Sequence, residues 1–119
     1  MEWKLNDDRP IWLQLAEQMT RRIITGVYPP GSKLPPVREL AAEAGVNPNT
    51  MQRALAQLEQ DGLAKADRTA GRLVTQDTAL LDAVRRAEAH VVVNQYYHAM
   101  AELGYSQQEA TAMLKEEHT

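Results

Sequence analysis

Between Asn47 and Arg53 the chain reads Asn-Pro-Asn-Thr-Met-Gln-Arg. Amides, a hydroxyl and a guanidinium gathered in this way can donate and accept hydrogen bonds at short range. A glutamine can pair bidentately with adenine, and an arginine with guanine or with a phosphate. If the run opens a helix, the helix N-terminus adds partial positive charge and free N–H groups for a phosphate. The same residues also make a sound helix start, with Asn47 as the cap and Pro48 in the first position. Taken alone, the run does not decide between a well-capped helix and a nucleic-acid reader.

Other residues offer less. The chain has no cysteine, which removes disulfides, thiolate metal sites and a cysteine nucleophile. His90 and His98 are separated by about two helical turns, and Glu102 follows at i+4. No third ligand has good spacing, and with His118 they are read as surface or partly packed histidines, so no metal and no cofactor is expected. Trp3 and Trp12 are read as packing residues of the first helix. Tyr96 and Tyr97 are read as core or interface residues, and Arg85-Arg86 as a solvated pair. No glycine-rich phosphate loop, Ser/His/Asp arrangement or pair of catalytic carboxylates stands out, so an enzyme is not expected.

Size and charge set the frame. The chain has 119 residues, 44% hydrophobic and 24% charged, which fits one domain, or a small domain with an appendage, and argues against disorder. The net charge of −3 at first opposes nucleic-acid binding, which usually shows a basic footprint. No stretch approaches the roughly 18 consecutive apolar residues of a membrane span. The start, Met-Glu-Trp-Lys-Leu-Asn-Asp-Asp, carries no secretory pattern, so a cytoplasmic protein with no membrane partner is expected.

Proline and glycine mark the elements that must position the 47–53 run. A first helix starts near Pro10, repeats Ile11, Leu15, Ala16, Met19 and Ile23 at helical spacing, and stops at Gly26. Residues 26–36 hold four prolines and two glycines and are read as a loop. A short second helix fits 37–44 with Leu40 and Ala41 inward, and Gly45 follows as its C′ residue. Val46 is an apolar plug. The third helix then shows Met51, Ala54, Leu55 and Leu58 on one face, and Gly62 stops it. Residues 63–76 read as two short strands around a turn at Asp67–Gly71. From Thr78 to Leu103 no glycine or proline occurs, and Leu80, Leu81, Val84, Ala87, Val91, Gln95, Tyr96 and Ala99 are read as one broad helical face. Ser106 and Glu109 match a capping box for a last helix bearing Ala110, Met113 and Leu114.

The resulting order is helix, helix, tight glycine turn, helix, hairpin. A short helix joined through glycine to a capped helix is the helix-turn-helix arrangement, and the trailing hairpin makes it winged. The 47–53 run would then enter the major groove. Similar three-helix units also serve as protein-interaction modules, so a winged helix without specific DNA binding stays open at this point.

The run LPPVRELAAEAGVNPNTMQRALAQLEQDGL, residues 34–63, closely resembles the GntR family of bacterial transcriptional regulators. PIWLQLAEQMTRRIITGVYPPGSKLP at 10–35 and RTAGRLVT at 68–75 extend the likeness over most of 10–76. VNPNT and the short tail resemble the YtrA-type subfamily. The resemblance implies a fold that is mainly α with a small β-hairpin, a winged helix-turn-helix domain (1–76) followed by a two-helix C-terminal dimerisation region (77–119).

It also implies a site on double-stranded DNA. Arg38 would contact a phosphate. Asn47, Pro48, Asn49 and Thr50 would sit at the recognition-helix N-terminus, Gln52 at a base-reading position, and Arg53 would reach phosphate or brace the helix. Gly71 would let the wing backbone enter the minor groove, with Arg68 and Arg72 beside it. Two departures stand out. Pro36 stands where the family usually has serine, which changes the cap of helix two. Thr69, Arg72 and Leu73 replace wing residues of a Gly-x-Gly-Thr-aromatic pattern.

The tail cannot bury a broad apolar face on the winged domain alone. Two-fold pairing through Leu80, Leu81, Val84, Val91, Tyr96, Met113 and Leu114 would cover it and match a palindromic operator. The expected function is a homodimeric, sequence-specific transcription regulator, a repressor, with control of a transporter operon suggested by the resemblance. A small-molecule effector near the tail helices stays open. Counting by segment also answers the charge objection. Residues 9–76 carry nine Lys and Arg against six Asp and Glu, whereas residues 78–119 carry three against six. An acidic tail masks a mildly basic reader, so base contacts and dimerisation must carry much of the specificity.

Overall fold

In the computed structural model, which describes residues 2–117, the element order is α1 (Ile11–Ile24), α2 (Val37–Ala44), α3 (Pro48–Gln60), β1 (Ala64–Asp67), β2 (Gly71–Val74), α4 (Thr78–Glu102) and α5 (Gln107–Glu116). Packing divides the chain into a first unit ending at Asp82 and a second beginning at Ala83. The first unit extends past residue 76 because Leu81, in the first turn of α4, is buried within it, at 7% exposure.

Three helices and the hairpin share one core. Leu15, Met19 and Ile23 of α1, Leu40 of α2, and Met51, Ala54, Leu55 and Leu58 of α3 are buried. Their spacing places each set on one helical face. Leu34, Leu63 and Val74 close the core beneath the hairpin. Each fully buried leucine contributes about 1.5–3 kcal/mol relative to exposure, so the clustering fixes how α3 is presented.

The sharp turn between α2 and α3 depends on Gly45, whose φ of 71° is left-handed. Its N–H and that of Val46 turn back to Ala42 and Ala41 carbonyls, closing the helix end as a Schellman motif. A side chain at that φ would be strained. Two residues later the Asn47 side chain accepts from the Asn49 N–H at 2.7 Å and caps α3.

The segment before α1 is tied down by two glutamines. Gln14, 2% exposed, accepts from the Asn6 N–H and donates to the Asn6 and Arg9 carbonyls. Gln18 does the same with both backbone groups of Lys4. These amides satisfy backbone groups in place of a side-chain cap, which Pro10 does not provide. Trp3 lies over Arg22 with the guanidinium carbon 4.1 Å from its ring centroid and donates to Glu43 of α2. Buried Arg22 also donates to Tyr28 and pairs with Glu43 at 3.0 Å.

The hairpin pairs Ala64 with Val74 through Asp67 with Gly71, antiparallel. Residues 26–36 form a loop as expected, but their second half is zipped to the sheet. Lys33 bridges Leu73, the Leu34 N–H donates to the Arg72 carbonyl, and the Val74 N–H donates to Ser32. Prolines on both sides keep this edge too short for a strand.

In the second unit α5 folds back against α4 through a turn at Gly104. Ser106 and Glu109 form the reciprocal capping box. Ala110 is fully buried, Tyr96 donates to its carbonyl at 2.7 Å, and the Tyr97 hydroxyl meets that of Thr111 at 2.6 Å. On α4 the apolar residues extend beyond the expected face. Val91, Val92 and Val93 are consecutive, so they point in directions about 100° apart, and all three are exposed.

Candidate nucleic-acid interface

The outer face of α3 carries Asn49, Gln52 and Arg53, all exposed, while Met51, Ala54 and Leu55 on its other side are fully buried. Three polar side chains at i, i+3 and i+4 therefore share one helix surface, anchored from behind by the core. Thr50 is half-buried at the edge of this face. The Arg53 guanidinium carbon sits 4.3 Å from the Trp12 ring centroid. This contact ties α3 to α1. Such a contact contributes about 0.5–1 kcal/mol at an exposed position.

The α3 N-terminus differs from expectation in one respect. Pro48 has no N–H, the Asn49 N–H is taken by Asn47, and the Thr50 N–H bonds to the Asn47 carbonyl. No free donor remains in that first turn for a phosphate, and Asn47 has its side-chain oxygen committed to the cap. At α2 the arrangement is reversed. Pro36 makes no side-chain cap, so the first-turn N–H groups of α2 receive no side-chain acceptor, and exposed Arg38 lies among them. Cationic charge plus uncapped donors suits an anion.

The wing tip is built by Asp67. Its carboxylate accepts from the N–H groups of Thr69 and Ala70, both at 2.9 Å. Those bonds, the one from Ala70 foremost, hold its carboxyl below the usual range. Gly71 then resumes the strand at φ 88°, which Thr69 and Ala70 could not adopt without strain. Arg68 stands exposed on this turn. Arg72 does not join it: the guanidinium Nε donates to the Glu59 carboxylate of α3 in an ion pair. The Arg72 charge expected beside Arg68 is thus engaged by Glu59 of α3 in this structure.

An open groove of about 510 Å³ runs between the loop before α2 and the wing, lined among others by Lys33, Pro36, Asp67, Arg68 and Gly71. Lys33 reaches across the wing: its Cε is 3.7 Å from the place a Cβ would occupy on Gly71. Sequence reasoning missed Lys33 as a site residue. Its presence in the GSKLP run was the available signal, but only the pairing of residues 32–34 with β2 places it beside the wing.

Of the residues expected to pair two copies, Leu81 is already buried, and Leu80 lies in contact range of Gly62. Both pack within the first unit. Val84, Tyr96 and Met113 are half-buried, whereas Val91 and Leu114 are exposed. His98 Nε2 lies 3.4 Å from Glu102. Among the described residues no cluster of three or more His, Cys, Asp or Glu could hold a metal ion, and His118 lies outside them. None of the described helices is long and apolar enough to cross a membrane.

Comparison with known proteins supplies the frame for this geometry. The profile of the gntR family of bacterial regulatory proteins matches residues 12–74. The chain is 31% identical to the HTH-type transcriptional regulator YhcF of Bacillus subtilis, over 97% of this chain and 95% of that one. It is 38% identical to the HTH-type transcriptional repressor YtrA of the same organism, over 57% of this chain and 52% of that one. Among solved structures, a GntR family transcriptional regulator from Listeria monocytogenes superposes with a TM-score of 0.84 at 32% identity, covering 94% of this chain and 98% of the other.

Proposed function

The chain belongs to the gntR family of bacterial regulatory proteins, of the YtrA type, and is a DNA-binding transcriptional regulator rather than an enzyme; on that premise we propose that it is a homodimeric repressor that reads a palindromic operator. The observation that carries the reading is the outer face of α3, where Asn49 and Gln52 stand exposed on a helix whose other side is wholly in the core. Amide side chains on such a face match base edges in the major groove. Around them Arg38, Lys33 and Arg68 supply cationic charge that forms no ion pair among the described residues, and Gly71 allows close backbone approach by the wing. Phosphate contacts from these residues would set register, and the α3 amides would specify sequence.

Dimerisation is supported by the second unit. Among its described residues it buries only Ala110 and no larger apolar side chain, yet exposes Val91, Val92 and Val93 at 53%, 55% and 46%. Apolar area of that kind is costly to leave in water, and a second copy of α4 offers a matching surface. Two readers held by one two-fold axis would meet two half-sites about one helical turn apart. The repressor role follows the likeness to YtrA, and a transporter operon that includes the protein's own promoter is the proposed target.

Sedimentation equilibrium combined with a gel shift on the gene's upstream region tests this. The expected result is a dimer at micromolar concentration and one retarded complex whose affinity falls steeply with salt. A monomer, or a complex indifferent to sequence, would contradict it.

A further inference from the structure

Arg72 faces the protein, not the wing tip, and the reason lies in the strand. Side chains alternate along β2, so Arg72 shares a side with Val74. Val74 is 2% exposed and belongs to the core. Arg72 therefore emerges over the same core at its open end, where it meets Glu59. Glu59 lies in the last turn of α3, where the negative end of the helix dipole disfavours a carboxylate. A guanidinium there relieves the acid and is held by it. The same strand residue is fixed from behind, since its carbonyl accepts from the Leu34 N–H at 2.9 Å.

Resting on the DNA-reading site described above, we propose that Arg72 is a positioning residue: its pair with Glu59 locks the wing to the recognition helix, so that Lys33, Arg68 and Gly71 meet the backbone in register with Asn49 and Gln52. Arg72 itself neutralises no phosphate. The rival role, a direct phosphate contact, makes the opposite forecast for Glu59, because freeing Arg72 would then help binding.

The test uses the full chain and a duplex that the wild-type protein selects from a random-sequence pool, with thermal melting as the folding check. Arg72→Gln and Glu59→Gln should each weaken binding about fivefold, the scale of a partly exposed ion pair. The slope of log affinity against log salt should stay at the wild-type value in both. The exchanged pair, Glu59→Arg with Arg72→Glu, should recover most of the loss. The proposal is overturned if Glu59→Gln binds more tightly, if Arg72→Gln lowers the salt slope by about one phosphate, or if the exchanged pair recovers nothing. Lys33→Ala and Asn49→Ala/Gln52→Ala separate the two levels. Should neither weaken binding, the site itself is misplaced and the proposal falls with it. Should both weaken binding while the Arg72 and Glu59 forecasts fail, only the locking role is lost.

Discussion

The two units of this chain spend their apolar residues in opposite ways. The first directs Leu15, Met19, Leu40, Met51, Leu55 and Leu58 into one core and leaves polar side chains outside. The second buries Ala110 and leaves three consecutive valines, Leu103 and Leu114 in contact with solvent. A unit with a complete core can hold a rigid surface for recognition. One without such a core leaves apolar side chains in water. Charge does not divide at the same boundary: residues 1–82 carry ten Lys and Arg against eleven Asp and Glu, and the basic excess belongs to 9–76 alone, with nine against six.

Substitutions can break this contrast at its strongest point. Leu55→Ala should destabilise the first unit by about 2–5 kcal/mol, the cost of a leucine-sized cavity, read by chemical denaturation. If Leu55→Ala melts like wild type, the three-helix core is wrongly drawn. A charge placed in the second unit should act differently. Val92→Asp should raise the dimer dissociation constant by about a hundredfold, on the scale of an unpaired charge forced into an apolar contact, while circular dichroism stays unchanged. A dimer that survives this change would mean the valines face solvent in the assembly.

Smaller effects sharpen the account within the first unit. Gly45→Ala should cost about 1 kcal/mol, because alanine must hold a left-handed φ, and melting temperature reports it. Trp12→Ala should cost about 0.5–1 kcal/mol by removing the platform under Arg53, and it should loosen sequence preference more than total affinity. The smallest effect concerns pH. Asp67 is held below the usual carboxylate range by the Ala70 and Thr69 N–H groups. Its contribution to the wing turn is therefore present above about pH 4, the ordinary value for aspartate, and is lost as acid protonates it below that. The amide resonances of Thr69 and Ala70 should titrate together at that lower pH. A midpoint at or above the ordinary value would contradict the turn.

Most of the first unit was legible because proline and glycine bound each helix and the apolar spacing is strictly helical. Pro10, Gly45, Pro48 and Gly62 mark ends that the backbone obeys, and Asn47 caps where it should. The parts that escaped are tertiary pairings with no local signature. Ser32 to Leu34 join the sheet although prolines surround them, since only the position of β2 offers them partners. Arg72 finds Glu59 thirteen residues away, and nothing in either neighbourhood announces the pair. Gln14 and Gln18 tie the leading segment to α1 by side-chain mimicry of a strand edge, which no periodicity reveals. In α4, helical spacing groups Leu80 and Leu81 with Val84 and Val91, yet Leu81 is buried in the first unit and Leu80 is half-buried.

In the proposed function the exposed α3 amides read sequence while the surrounding cations only hold the backbone. Competition binding of wild type and Asn49→Ala/Gln52→Ala, each against the selected duplex and a scrambled duplex of equal length, tests it most directly. The expected result is that the variant loses at least about thirtyfold of its preference, as two lost base contacts at about 1–3 kcal/mol each require, with its affinity for the scrambled duplex and its salt slope unchanged. A variant that still separates the two duplexes as well as wild type would contradict the account.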